Sequence, residues 1–146
     1  MKVTMMLADH AQAVGGKLFI SGGGWSLVGP DPFPCALALD IKVPWDMRQE
    51  EHSVRIELLD ADGQPVLVPT PQGVQPLFIE GSFGIGGEID PNVKPGMPLD
   101  AAFAINVGPL MIPPGGRYEW RLTINGESQD SWRVAFSTRQ QFPQAA

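Results

Sequence analysis

The sequence predicts an all-β fold: an antiparallel β-sandwich of about nine strands with Greek-key-like connections, similar in general architecture to immunoglobulin and C2 domains. Three observations predict it. Apolar residues recur at every second position in one segment after another, the period of a strand with one buried face. No window keeps apolar residues at helical spacing for three turns. The 17 glycines and 15 prolines fall mostly between the apolar runs, as turns between short strands require.

The elements follow in chain order. Residues 2–8 and 18–22 read as strands of less regular pattern. The clearest alternation sets Cys35, Leu37, Leu39, Ile41 and Val43 against Ala36, Ala38, Asp40 and Lys42. Residues 46–51 have room for a helical turn and no more. Val54, Ile56 and Leu58 alternate with Arg55 and Glu57, and shorter strands are expected at 66–68 and 77–83. Ala101, Phe103, Ile105 and Val107 take one side of a later strand, with Asp100 and Asn106 on the other. The closing hairpin places Tyr118, Trp120, Leu122 and Ile124, then Trp132, Val134 and Phe136, inward, with Glu119, Arg121 and Arg133 facing out. Three segments, 22–34, 69–76 and 84–98, are rich in Gly and Pro and too long for hairpin turns. They are expected to cross between sheets or cap the ends. One domain is expected over 1–140, with a short tail at 141–146.

Loop lengths can be argued from register. Residues facing each other across an antiparallel pair share a side of the sheet, so the loop must keep apolar residues together. At Ala61-Asp62-Gly63 a three-residue loop aligns Leu58 with Val66. At Asn125-Gly126 a two-residue loop would set Trp120 opposite Ser131, whereas a three-residue loop sets Tyr118 opposite Trp132. Bulged three-residue hairpins, with glycine supplying the positive φ, are therefore predicted at both sites.

Charge and cysteine content limit the functions. The net charge is −6, the pI about 4.7, and the ten Lys and Arg form no run. A phosphate backbone or an anionic membrane surface needs clustered cations, so nucleic acid and membrane are disfavoured as partners. Cys35 stands alone and reads as a small buried hydrophobe, since one thiol makes no internal disulfide. The apolar stretch at the N-terminus is broken by Asp9 and His10 where an export signal would continue, and the expected location is the cytoplasm.

Chemistry-bearing motifs fail on their surroundings. Gly22-Gly23-Gly24-Trp25 follows a strand, but Gly29-Pro30-Asp31-Pro32 comes where a phosphate loop needs a helix N-terminus. Asp60-Ala61-Asp62-Gly63 opens like a calcium loop and lacks its distant glutamate; Asp and Gly are also what a turn demands. His10 and His52 have no metal spacing, and Asp9 and His10, as neighbours on a strand, point to opposite faces. Asp40, Asp46, Glu50, Glu51 and Glu57 read as solvated strand faces and a turn. No catalytic residue, metal ligand or cofactor is assigned.

Two aromatics remain as candidate binding residues. Trp25 follows three glycines and Trp45 sits between Pro44 and Asp46, both in or beside loops. A large apolar side chain there either anchors a partner or plugs the open end of the sandwich.

Leu7-Ala8-Asp9-His10-Ala11, Gly16-Lys17-Leu18-Phe19-Ile20, Gly22-Gly23-Gly24-Trp25, Glu57-Leu58-Leu59-Asp60 and Tyr118-Glu119-Trp120-Arg121-Leu122 together resemble an uncharacterised family of small bacterial all-β domains. The likeness spans nearly the whole chain. It implies a bacterial cytoplasmic β domain and no assigned activity. The function expected from the residues is a non-enzymatic module that binds an unidentified protein partner or itself. The alternatives are a structural subunit of a larger, phage-like assembly and a hydrolase using carboxylates gathered from separate strands.

Overall fold

A computed structural model describes residues 1–86 and 89–141. The expected tail lies outside the described residues except for Gln141. Eleven strands are described: β1 (Lys2–Val14), β2 (Lys17–Gly23), β3 (Leu27–Val28), β4 (Phe33–Val43), β5 (Glu51–Asp60), β6 (Leu67–Thr70), β7 (Gly73–Pro76), β8 (Phe78–Gly84), β9 (Leu99–Leu110), β10 (Arg117–Ile124) and β11 (Arg133–Thr138). One sheet has the order β2-β1-β4-β9 and the other β3-β11-β10-β5-β8, while β6 and β7 form a separate hairpin. The two sheets face each other across one core, the sandwich that the alternation predicts. Two more strands appear than the sequence suggested, β3 and β7, both inside segments read as long loops. β3 runs parallel to β11, the one departure from antiparallel pairing among the described residues. The helical turn expected near 46–51 is a single 3-10 turn, Trp45–Met47. Among the described residues no helix is long and apolar enough to cross a membrane.

The core is what the period of two specifies. Leu37, Leu39, Ile41 and Val43 of β4 are at most 1% exposed, as are Ile56 and Leu58 of β5 and Trp120 and Leu122 of β10. Each such aliphatic contributes roughly 1.5–3 kcal/mol on burial, an upper figure because unfolded chains are already partly compact.

The outer faces of the two sheets differ. On the five-stranded sheet, Arg55 pairs with Glu57 at 3.4 Å and with Glu80, and Arg121 pairs with Glu119 at 3.1 Å. On the four-stranded sheet, Ala36 and Ala38 are also buried, in a cluster with Ala8, the cross-strand partner of Ala36, and with Ala11, Leu18 and Ala104. The cause is the length of β1. It pairs with β4 only as far as Ala8↔Ala36, then continues as a hairpin with β2. The Asn106 side chain on β9 receives the Ala11 N–H at 3.2 Å and donates to the Ala11 carbonyl at 2.8 Å. Since β4 separates β1 from β9, that contact shows the hairpin folding across the outer face. The triple glycine belongs to this hairpin: Gly22 has φ +61°, and a Cβ there would collide with the Asp9 carboxylate.

One of the two predicted hairpins is found. Asp60 N donates to Gln64 O at 2.9 Å and Gly63 N to Asp60 O at 3.0 Å, which closes a three-residue loop with Gly63 at φ +77°. Val66 N donates to Leu58 O, the predicted alignment. The other hairpin overturns its prediction. Ile124 and Glu127 exchange both backbone bonds, at 2.8 and 3.0 Å, around a two-residue turn with Asn125 at φ +52° and Gly126 at φ +79°. These are the positive values of a type I′ turn. The face correction comes later, where the chain loops out between Glu127 and Trp132 and closes on a Trp132 N–H to Gln129 O bond of 2.9 Å. Tyr118 then faces Phe136, not Trp132. The core face is kept, but by an excursion beyond the turn.

Candidate interaction surface

Trp25 and Trp45 lie at opposite ends of the sandwich. Trp25 packs on Phe33, the first residue of β4, and Trp45 follows Val43, its last. The intervening strand is roughly 33 Å long.

Trp25 is half-buried in an aromatic cluster. Its ring meets Phe33 at 5.9 Å and Phe136 at 5.7 Å between centroids, with interplanar angles of 85° and 89°. These are the edge-to-face contacts that aromatic quadrupoles favour, and they leave the indole closing the end of the core.

Trp45 is held differently. The 3-10 turn fixes it through a Met47 N–H bond to Pro44 O at 2.9 Å, and Arg48 donates to Trp45 O at 2.8 Å. The Arg48 guanidinium also lies 4.3 Å from the ring centroid and covers one ring face. Beside Trp45 runs a groove of about 900 Å³ whose apolar walls include Met1, Pro44, Met97 and Pro98, with Lys2 and Asp46 along it. Met97 is 54% exposed. Charge inside the groove is balanced: Lys42 contacts Asp100 directly and Asp40 at 3.4 Å. The hydrogen bond to Asp100 raises the Lys42 pKa above its ordinary value, and burial offsets part of that rise. The ammonium therefore stays charged throughout the physiological range.

The turn carrying Trp45 is braced from below by a residue pair that sequence reasoning missed. His52, only 1% exposed, approaches Met47 O through Nε2 at 3.2 Å, and Asn125 Nδ2 approaches its Nδ1 at 3.0 Å. The amide can only donate and the carbonyl only accept, so the ring is the neutral tautomer protonated at Nε2. Asn125 also bonds both ways to Ser53, N to O at 2.9 Å and Oδ1 from N at 3.0 Å. Asn125→Ala strips partners from His52 Nδ1 and Ser53 N–H and should cost roughly 1–3 kcal/mol in urea unfolding. Asn125→Gly keeps the positive φ, so a near-neutral Gly variant would transfer the effect from the hydrogen bonds to the backbone.

A second opening lies on the long side of the molecule, also missed. Between the edge strands β8 and β9 a slot of about 190 Å³ reaches the core, lined by Leu39, Val54, Ile56, Ile79, Phe103 and Ile105. The Phe83 and Phe103 rings meet across the two strands at 5.1 Å.

The remaining candidates are dispersed. Asp60 Oδ1 receives the N–H groups of Asp62 and Gln64, both at 2.9 Å, which is turn chemistry. Asp40 is turned to Lys42, Glu57 to Arg55 and Glu51 to the Ser82 hydroxyl. Among the described residues no group of three His, Cys, Asp or Glu is placed to hold a metal ion.

No curated protein matches the sequence. A family model does match, over residues 3–136, from the first buried side chain of β1 to the Phe136 ring that Trp25 packs on. The chain belongs to that family, DUF6941, a family of unknown function.

Proposed function

We propose that the chain is a non-enzymatic protein-interaction module and that the groove beside Trp45 receives the partner. The observation that carries this reading is an apolar, solvent-open groove whose aromatic wall is fixed in advance by the 3-10 turn, Arg48 and the His52–Asn125 brace. Pre-ordering lowers the entropy cost of docking, and an aromatic anchor in a pocket is the usual energetic centre of an interface. The fitting ligand is an extended segment with an apolar side chain for the Trp45–Met97 wall. The net charge of −6 sets this reading apart from nucleic-acid binding. The lone buried thiol supports a cytoplasmic setting.

Site-specific photocrosslinking in native lysate tests it. A photoreactive side chain at Met97 should capture one discrete protein, and the same probe at Gln64, in the β5 loop, should not. Trp45→Ala should weaken capture by roughly thirtyfold, the equivalent of ~2 kcal/mol for a lost aromatic anchor. Capture that ignores Trp45→Ala, or occurs equally at Gln64, contradicts the proposal.

A further inference from the structure

We propose that Asn125 is a site of spontaneous covalent modification, losing its side-chain amide through a cyclic imide formed with the Gly126 nitrogen. The His52–Asn125 brace slows that reaction, and the reaction undoes the brace.

The chain has three asparagines, Asn92, Asn106 and Asn125. Imide formation needs the backbone nitrogen of the next residue to reach the asparagine's side-chain carbonyl carbon, and that residue's own side chain stands in the way. Asn92 and Asn106 precede Val93 and Val107, whose branched Cβ atoms crowd the nitrogen. The Val93 N–H is also engaged, donating to Asp90 O at 2.9 Å. Asn106 sits within β9, its backbone paired with Ala36 of β4. Around Asn125 the nitrogen is open. Gly126 has no Cβ, and one built there would meet nothing within 4 Å. The turn's two backbone bonds use Ile124 and Glu127, so the Gly126 N–H has no acceptor among the described residues. Both turn residues are exposed.

The Gly126 nitrogen gives its proton to solvent base and bonds to Asn125 Cγ. The Cγ–Nδ2 bond breaks, and Nδ2 leaves as ammonia with a proton drawn from water. Water then adds to one carbonyl of the imide and opens the ring, leaving aspartate or isoaspartate at position 125. In all, one water is consumed and one ammonia released.

The native turn resists the first step. The amide is held at both ends, Nδ2 on His52 Nδ1 at 3.0 Å and Oδ1 on the Ser53 N–H at 3.0 Å. Cγ leaves these partners to close on its own backbone, so the reaction runs through a local opening of the turn. The product cannot restore the brace. An aspartate carboxylate still accepts from Ser53 but has no N–H for His52 Nδ1. Isoaspartate routes the backbone through the side chain and lengthens a turn with only two residues between Ile124 and Glu127. On the reading of the groove given above, either product also loosens the Trp45 wall; the modification itself does not rest on that reading.

Ageing the native chain at physiological temperature and pH 8, with peptide mass mapping and isoaspartate-specific methylation, tests the site. The peptide holding Asn125 should convert from amide to acid at least about tenfold faster than those holding Asn92 and Asn106, because valine shields their nitrogens. In urea the conversion at Asn125 should run at least about tenfold faster than in the native chain, since no brace has to open. His52→Phe, which removes the acceptor for Nδ2, should speed the folded chain toward the urea rate. The modified chain, separated by its added negative charge, should unfold at lower urea than the unmodified one. Conversion at Asn92 or Asn106 as fast as at Asn125, or a native chain that keeps all three amides, overturns the site. Equal rates in native and urea-unfolded wild type overturn the control by the brace, and this comparison stands even if His52→Phe fails to fold. Equal urea midpoints for modified and unmodified chains overturn the loss of the brace.

Discussion

Trp120→Ala is expected to remove roughly 3–5 kcal/mol of stability, about what truncating a fully buried aromatic costs when its surroundings cannot collapse. For a domain of ordinary stability that is a large part of the total. The reason lies in position. Trp120 is the largest fully buried side chain, on a strand paired on both sides, facing Leu58 of β5 and Val134 of β11. Neighbours held in two ladders cannot move in to fill the void. Trp120→Phe sharpens the argument, because it keeps an aromatic ring in place and gives up only part of the buried volume. The phenyl ring leaves a smaller cavity than the methyl group of alanine, so it should cost well under half as much. Urea unfolding followed by circular dichroism gives both values. Equal losses for Phe and Ala, or an Ala loss under about 1 kcal/mol, would show that the core relaxes around this site.

The parts of this fold that were legible are those where one face is wet and the other buried. β4, β5, β9 and β10 wrote their pattern at every second residue because Leu39, Ile56, Phe103 and Trp120 face the core while Asp40, Glu57 and Arg121 do not. Register gave the Ala61–Gly63 loop for the same reason. At Asn125-Gly126 it failed, because keeping a face constrains only whether extra residues are odd or even in number, not where they sit. The chain kept a tight Asn-Gly turn and put the excess before Trp132. The sequence places the end of β1 near Ala8 because its continuation buries only alanines against alanines, which leaves no amphipathic signature in Asp9-His10-Ala11-Gln12-Ala13. Trp45 is singled out in the sequence as a large apolar side chain beside a loop, between Pro44 and Asp46. Its groove was invisible, since Met1, Lys42 and Met97 come from separate parts of the chain and each looks like an ordinary surface residue. The His52–Asn125 brace is likewise a long-range pair with no period to betray it.

In the native protein Cys35 should react with a soluble disulfide reagent at pH 8 about a thousandfold more slowly than in urea. Burial pushes its thiol from 9.0 up to about 12, and the Trp120 side chain, which favours the thiolate, recovers only part of that. Three pKa units lower the reactive thiolate about a thousandfold, and enclosure in the core slows the reagent further. The same shift ties stability to pH. The folded state holds the proton more tightly than the unfolded state, so its contribution is fully present below pH 9. It is lost as pH rises from 9 through about 12, up to ~4 kcal/mol in all at 1.36 kcal/mol per unit. Tyr118 pulls in the same direction, raised by burial and then by Asp60, so wild type alone cannot isolate the thiol. Cys35→Ala can: its cavity cost does not change with pH, whereas its stability curve should fall less steeply than wild type between pH 9 and 11, by up to ~1.4 kcal/mol per unit. Parallel curves for the two proteins, or native labelling as fast as in urea, would place Cys35 within reach of solvent and break the packing that joins β4 to β10.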